Sequence, residues 1–313
     1  MQKLVINKAN ENQRLDKFLM KYLNKAPKSF VYKMLRKKNI KLNGAKAAGN
    51  ETIKAGDEVC LYLADDTIEN FRAAVHIKPQ KAPVIVYEDE NILAANTPAG
   101  LLVQGDKNEG ADNLNDMLLY YLSQKNEISD TFKPGVANRL DRNTGGLVVM
   151  GKNLAAAQAL AEAFRENKAD KRYLAAVVGR VEKGGEISGW HTKDDKNRVL
   201  ITEEKRDGAA FVKTLYTPIF TGENYSILSV KLVTGKSHQI RESFKEAGFP
   251  IIGDPKYGDA KTNAFFKQNF GLNHQLLYAV SLEFKGKFEE IGKIECTPDK
   301  KAQRVLEYIK NGE

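Results

Sequence analysis

The sequence predicts an α+β protein in two parts: a small N-terminal α+β module over residues 1–70, then, after a linker over 71–83, a larger domain over 84–313 built on a mostly antiparallel, mixed sheet. Three observations predict it. At 313 residues and 42% hydrophobic, the chain exceeds the ~100–200 residues of one ordinary domain and can bury a sizeable core. Residues 1–63 hold 14 Lys or Arg against 5 Asp or Glu, while the remainder is balanced at 35 against 35, so the whole net charge of +9 sits at one end. That remainder reads as many short strands with few helices, the pattern of helices segregated onto an antiparallel sheet.

In the N-terminal module, Leu15, Phe18, Leu19, Tyr22 and Leu23 recur at helical spacing, with Arg14, Lys17 and Lys21 on another face. A second helix is expected to start at Ser29 as N-cap, burying Phe30, Val31, Met34 and Leu35 and offering Lys33, Arg36, Lys37 and Lys38. The alternating run Ile40-Lys41-Leu42 enters an Asn43-Gly44 turn, and Gly56-Asp57 leads into the strand Glu58 to Leu63. Two basic helix faces side by side attract polyanions by counterion release, which makes nucleic acid the expected partner. A solvated basic face with no partner is the ordinary alternative. Asp65 to Ala82 is polar and without period, ends in Pro79-Gln80-Lys81-Ala82-Pro83, and reads as linker.

In the larger part, Val84 to Tyr87 and Asn91 to Asn96 read as a hairpin, and Pro98-Ala99-Gly100 turns the chain into Leu101-Leu102-Val103. Ala155 to Phe164 reads as a helix, and Tyr173 to Val178, Ala210 to Phe220 and Tyr225 to Val233 as strands. Ser237 to Ala247 reads as a helix with Ile240, Phe244 and Ala247 on one face, His238, Arg241 and Lys245 on another, and Gly248 as its stop.

Several chemistries are tested by spacing and fail. Gly235-Lys236-Ser237 imitates the end of a phosphate-binding loop, but the glycine required five places earlier is Val230. There is no G-x-S-x-G and no H-E-x-x-H, and His76, His191, His238 and His274 lack ligand spacing. Cys60 and Cys296 are far apart with no C-x-x-C, which suits a reducing cytoplasm. No run of ~18 apolar residues and no leader-like apolar segment is present, so a cytoplasmic protein outside the membrane is expected. The expected reaction uses no metal, no nucleotide and no other cofactor.

What remains is the loop Asn138-Arg139-Leu140-Asp141-Arg142-Asn143-Thr144-Gly145-Gly146 feeding the apolar run Leu147 to Met150. An acid between two arginines is expected to stay a carboxylate at neutral pH. The ordinary role of a loop aspartate is to bond its own turn, and on these residues alone that role is the better supported.

Two resemblances change the balance. Arg14-Leu15-Asp16, Lys41-Leu42-Asn43-Gly44 and Gly56-Asp57-Glu58-Val59 resemble the S4 domain family, although Ser29-Phe30 stands where that family has Ser-Arg. The loop at Asp141 resembles the signature H-R-L-D-x-x-T-S-G-L of RluA/RluC/RluD-type pseudouridine synthases. Further segments follow in that family's order: Tyr87-Glu88-Asp89-Glu90, Pro98-Ala99-Gly100-Leu101, Lys171-Arg172-Tyr173-Leu174-Ala175, Leu232 to Arg241, Pro250 to Asp254, Tyr257-Gly258 and Leu277-Tyr278-Ala279. The departures are Asn138 for His, Gly145 for Ser, Thr97 for Lys and Gln104 for His.

This second resemblance implies isomerisation of uridine in structured RNA, with large-subunit ribosomal RNA or its precursor particle as partner; separately, a monomer is the expected working form. It implies Asp141 as the essential carboxylate, Arg241 as its ion-pair partner, and Tyr173 stacked on the uracil and helping to remove the C5 proton. Arg139 would contact phosphate, and Arg142, Thr144, His238 and Gln239 would complete the RNA-binding loop. The cationic residues Arg14, Lys17, Lys21, Lys33, Arg36, Lys37 and Lys38 would grip RNA outside the cleft. A catalytically inactive RNA-binding or ribosome-assembly factor on the same fold is the alternative.

Overall fold

The computed structural model describes residues 1–7, 10–72, 80–105, 112–125, 127–128, 132–193, 199–202, 205 and 208–312. The N-terminal elements are β1 (Gln2–Val5), α1 (Leu15–Tyr22), α2 (Lys28–Arg36), β2 (Ile40–Leu42), β3 (Ala45–Lys46), β4 (Glu58–Leu61) and α3 (Asp65–Phe71). The four strands form one antiparallel sheet in the order β1-β4-β2-β3. The apolar faces of α1 and α2 meet it, burying Leu15, Phe18, Leu19, Val31 and Leu35, each contributing about 1.5–3 kcal/mol if fully buried. Asn43 and Gly44 both take positive φ (50° and 75°), the type I′ geometry that matches strand twist and sets the Leu42↔Ala45 register.

Two expectations are corrected here. Helix α2 starts one residue earlier than Ser29, after Pro27, and no side chain caps it; proline pre-sets the extended entry instead. The first part of the expected linker is the helix α3, whose acidic first turn suits its N-terminus and whose Ile68 packs into the N-terminal core. Residues 73–79 of the linker, with His76, lie outside the described residues.

The second sheet is laid down by β5 (Val84–Glu88), β6 (Ile92–Thr97), β7 (Gly135–Val136), β8 (Gly145–Gly151), β9 (Ala169–Val178), β10 (Gly185–Lys193), β11 (Val199–Thr202), β12 (Ala210–Thr221), β13 (Tyr225–Leu232), β14 (Leu277–Phe284) and β15 (Lys293–Glu295). Its order is β11-β10-β12-β13-β9-β14-β8-β6-β5, with β15 on β14 and β7 on β8. Every pairing is antiparallel except β14 with β8, which gives the mostly antiparallel, mixed sheet that the sequence predicts.

Helices α4 (Leu114–Gln124), α5 (Leu154–Arg165), α6 (Gln239–Glu246), α7 (Ala260–Phe270) and α8 (Lys300–Lys310) cover this sheet. Each buries an apolar stripe against a separate stretch of strands: α4 on Leu93, Ala95, Val148 and Met150, and α5 on Ile92, Leu147, Val149 and Phe284. Helix α6 lies on Tyr173, Ala175, Leu228 and Val230, while α7 and α8 close over Ala176, Ile227 and Tyr278. Among the described residues no helix is long and apolar enough to cross a membrane.

Candidate active site

A cleft of about 880 Å³ opens where the β7–β8 loop, strand β9 and the start of α6 converge. Its walls include Arg139, Asp141, Arg142, Thr144, Tyr173, His238, Gln239 and Arg241, which the sequence scatters over 103 positions.

The β7–β8 loop is held from several sides. The Asn138 side chain behaves like a strand peptide, donating to the Leu147 carbonyl (3.1 Å) and accepting from the Val149 N–H (2.9 Å). The Asp141 carbonyl accepts from the Thr144 N–H (2.8 Å) to close a turn, and Gln275 Nε2 donates to Thr144 Oγ1 (3.1 Å). The turn thus uses the Asp141 backbone. Its carboxylate points elsewhere: Oδ2 accepts from Arg241 Nη1 at 3.2 Å, across 100 residues of sequence, and the side chain keeps 26% of its surface exposed.

At the second wall, Gln239 pins the entry to α6. Its Oε1 accepts from Thr234 Oγ1 (3.0 Å) and the Lys236 N–H (3.1 Å), while Nε2 donates to the Lys213 carbonyl (3.1 Å) and Thr214 Oγ1 (3.0 Å). His238, immediately before, is held at φ 57°, a left-handed conformation that costs a non-glycine residue on the order of 1 kcal/mol. Its ring nitrogen Nδ1 lies 3.1 Å from the Tyr257 hydroxyl. Burial holds the imidazole below its ordinary pKa, and Arg241 and Lys256 push the same way against the raising effect of Asp141 and Asp254, so it is neutral at pH 7.

Arg241 is the hub. Its side chain is 8% exposed, and Asp254, fully buried, accepts from Nε at 2.7 Å and from Nη2 at 3.0 Å, a two-point carboxylate clasp. The guanidinium also lies over the Tyr257 ring, 5.1 Å from its centroid. Asp141 therefore receives the one remaining arm of a cation already anchored elsewhere. The sequence reading missed Asp254 as a partner; the signal available was Gly253-Asp254 itself, a turn acid 13 residues after Arg241.

Tyr173 stands on β9 opposite Val230, 7% exposed, beneath α6. Burial, and then the charge of Asp141, raise its hydroxyl above the ordinary tyrosine pKa, so it is a neutral phenol and a poor proton acceptor at pH 7. Arg139 and Arg142 are exposed at the rim, whereas Thr144 and Gln239 are buried and occupied with internal hydrogen bonds. Lys17, Lys21, Lys33, Arg36, Lys37 and Lys38 are exposed on α1, α2 and the turn that follows. Arg14 is partly neutralised by Asp16, to which Nε and Nη2 donate at 3.1 and 2.8 Å.

The RNA pseudouridylate synthase family matches residues 91–246, a span holding Asp141, Tyr173, Gln239 and Arg241. An uncharacterized RNA pseudouridine synthase of Mycoplasma genitalium is 30% identical over 295 residues, 90% of this chain and 88% of that one. One from Aquifex aeolicus is 31% identical over 255 residues, 79% and 78% of the two chains. The ribosomal large subunit pseudouridine synthase C of Buchnera aphidicola is 27% identical over 288 residues, again 90% and 88%. Among solved structures, human RNA pseudouridylate synthase domain containing 4 shares the fold with a TM-score of 0.59 at 21% identity, covering 72% of this chain and 92% of that one. Identity of 30–31% over 78–90% of the chains compared places the chain in the RNA pseudouridine synthase family, as an isomerase of uridine in RNA.

Proposed function

We propose that the substrate is large-subunit ribosomal RNA, that Asp141 is the essential carboxylate, and that residues 1–70 form an S4-like RNA-binding domain feeding the cleft. The observation that carries the catalytic assignment is the Asp141 carboxylate: 26% exposed, it lines the cleft together with Tyr173 and accepts from a buried, independently anchored guanidinium. For the substrate, relatives are named ribosomal large subunit pseudouridine synthase C and D.

The reaction breaks the bond from uracil N1 to ribose C1′, turns the base, forms the C5–C1′ bond, and moves the C5 proton so that N1 ends protonated. Atoms balance without redox partner or energy source. A carboxylate at C1′ opposes the positive charge that develops there as the N1 bond breaks, or bonds to carbon directly. Tyr173 provides a buried aromatic edge for the uracil, and its raised pKa fits contact with the base rather than proton removal. A stacked uridine must be flipped out at a cost of a few kcal/mol, which phosphate contacts from Arg139, Arg142 and the N-terminal lysines offset. The protein works as a monomer in the cytoplasm.

Asp141→Asn is expected to abolish pseudouridine formation on ribosomal RNA while RNA affinity stays within about threefold, since the amide keeps the shape and the rim cations are untouched. Chemical mapping that finds wild-type modification by this variant removes Asp141 from the mechanism.

A further inference from the structure

The cleft extends past Asp141 and Tyr173. Its volume lies near the top of the roughly 300–1,000 Å³ range of ligand pockets, and its walls also include Phe164, Asn167, Lys171 and Gly235, none of which the proposed chemistry uses. Lys171 precedes Tyr173 by two residues in β9, so strand alternation puts both side chains on one face, roughly 6–7 Å apart along the strand. The two side chains therefore leave the strand at successive positions of the cleft wall.

The surroundings of Lys171 are unusual for a half-buried lysine. Its Nζ lies 5.5 Å from the centroid of the Phe164 ring. Across from it is Gly235, where a Cβ would stand only 3.5 Å from Nζ, so glycine leaves the ammonium uncovered toward the cleft. Lys152 is paired with Glu88 and Glu127, Lys213 with Glu186 and Lys231 with Asp170, but Lys171 has no carboxylate partner among the described residues. Burial alone acts on it and lowers its pKa. A partly desolvated cation without a counter-charge is costly, and a cleft wall that retains one is arranged for an anion brought by a ligand.

We propose that Lys171 is a phosphate-binding residue of the synthase, its ammonium receiving the phosphodiester of a nucleotide next to the flipped uridine at the cleft wall beside Phe164 and Gly235. This rests on the reading of the cleft as the uridine site. Arg139 and Lys236, on the same walls, supply further positive potential but stand exposed, whereas Lys171 meets its anion in a drier place where one contact counts for more.

The test uses the full chain and two variants, Lys171→Met, which keeps the stem and removes the charge, and Lys171→Arg, which keeps the charge. Turnover is followed by tritium release from a large-subunit ribosomal RNA transcript carrying [5-³H]uridine. Affinity is measured against salt in the Asp141→Asn background, where no turnover intervenes. The Met variant is expected to raise KM roughly tenfold or more with kcat within about twofold, and to reduce the slope of log affinity against log salt by about one. Arg restores both. Since the change removes an unpaired half-buried charge, the Met variant should melt no lower than wild type.

An unchanged salt slope overturns the proposal, whether it comes with a lower kcat at constant KM or with early melting; the lysine would then act on the chemistry or on packing. Failure of the uridine-site reading looks different, because wild type itself would release no tritium from this RNA while the salt-slope comparison still decides Lys171.

Discussion

Replacing Asp254 by Asn removes one negative charge from the best-buried part of the site and changes almost nothing in shape. Asp254 accepts four hydrogen bonds, from Arg241 Nε (2.7 Å) and Nη2 (3.0 Å) and from the backbone N–H groups of Lys256 (2.9 Å) and Tyr257 (3.0 Å). An amide offers one acceptor oxygen in place of two, so its NH2 group must face either the guanidinium or the two backbone donors. Removing one partner of a buried ion pair costs about 3–5 kcal/mol. Asp141 still offers Arg241 a counter-charge at 3.2 Å, which puts the expected loss near the lower end, about 3 kcal/mol. At ~2–4 °C per kcal/mol this is a fall in Tm on the order of 6–12 °C. Burial opposes ionisation of Asp254, but the hydrogen bonds and charge of Arg241 outweigh it and lower its pKa. The stabilisation is therefore complete above the ordinary carboxylate pKa of ~3.9 and is lost as pH falls through the depressed value; the Asn variant should lack this acid-sensitive component. Released from its anchor, the guanidinium is free to shift toward Asp141, and misplacement by about 1 Å should lower kcat on the order of 100-fold. Calorimetry and tritium release below the reduced Tm measure the two effects. A variant that melts within about 1 °C of wild type with undiminished kcat would show that Asp254 does not hold Arg241.

Three further outcomes follow from other parts of the chain. Glu88 accepts from Tyr121, Lys125 and Lys152 at 2.7–2.9 Å, and although burial works against it these partners lower its pKa to about 2. Its contribution is complete above the unfolded pKa of ~4.3 and disappears as pH falls through about 2, so Glu88→Gln should lower stability at pH 7 by about 1–2 kcal/mol after allowing for solvent screening, and by progressively less on acidification, as read by urea melts at several pH values. A Cβ at Gly145 would stand 2.4 Å from Tyr278 Cε1, so Gly145→Ser should destabilise by about 1–3 kcal/mol through overpacking, and Gly145→Ser with Tyr278→Ala should recover the part of the loss due to that clash in a double-mutant cycle. Removal of residues 1–70 should weaken binding to ribosomal RNA and flatten its salt dependence while the remainder stays folded; an unchanged salt slope would separate the exposed lysines of α1 and α2 from RNA binding.

Much of the fold was legible because periodicity and turn chemistry are local. The stripes of α1, α2 and α5 and the Asn43-Gly44 turn appear where their patterns predict, whereas α6 starts at Gln239 rather than Ser237 and buries Arg241, which the pattern puts on its other face, because Asp254 and Asp141 hold the guanidinium. The C-terminal helices were missed although their signals are present: Asp259 and Asp299 cap α7 and α8 by accepting from the Thr262 and Ala302 N–H groups, and Ala302, Val305, Leu306 and Ile309 recur at helical spacing. Helix α4 repeats the lesson, with Asn113 as cap and Leu114, Leu118, Leu119 and Leu122 buried. Helix α3 offered little, because a seven-residue helix with one buried apolar residue has almost no period to read. The departures from the family motif also required the fold. Asn138 bonds across to β8 in place of a backbone peptide, and Gly145 makes room for the Tyr278 ring, which is tied to Asp299 at 2.6 Å. Both changes are met by neighbouring structure and leave Asp141 pointing into the cleft.

The same distinction between local and distant information applies to the charges. Flanking arginines made Asp141 conspicuous in the sequence, yet the cation that reaches its carboxylate is Arg241, 100 residues on, and the acid that fixes this cation is Asp254. The division of labour between the two acids has a physical logic. A carboxylate clasped at two points by a buried guanidinium is well oriented, but its lone pairs are engaged and its approach to a ribose carbon is blocked. Asp254 takes that position, at 0% exposure, while Asp141 is held at one point by Arg241, at 3.2 Å, and lines the cleft with 26% of its side chain exposed. In the proposed mechanism this lets Asp141 be aimed without being consumed by its partner. It also predicts an asymmetry in damage: loss of Asp141 should spare the fold and end the chemistry, whereas loss of Asp254 should weaken both.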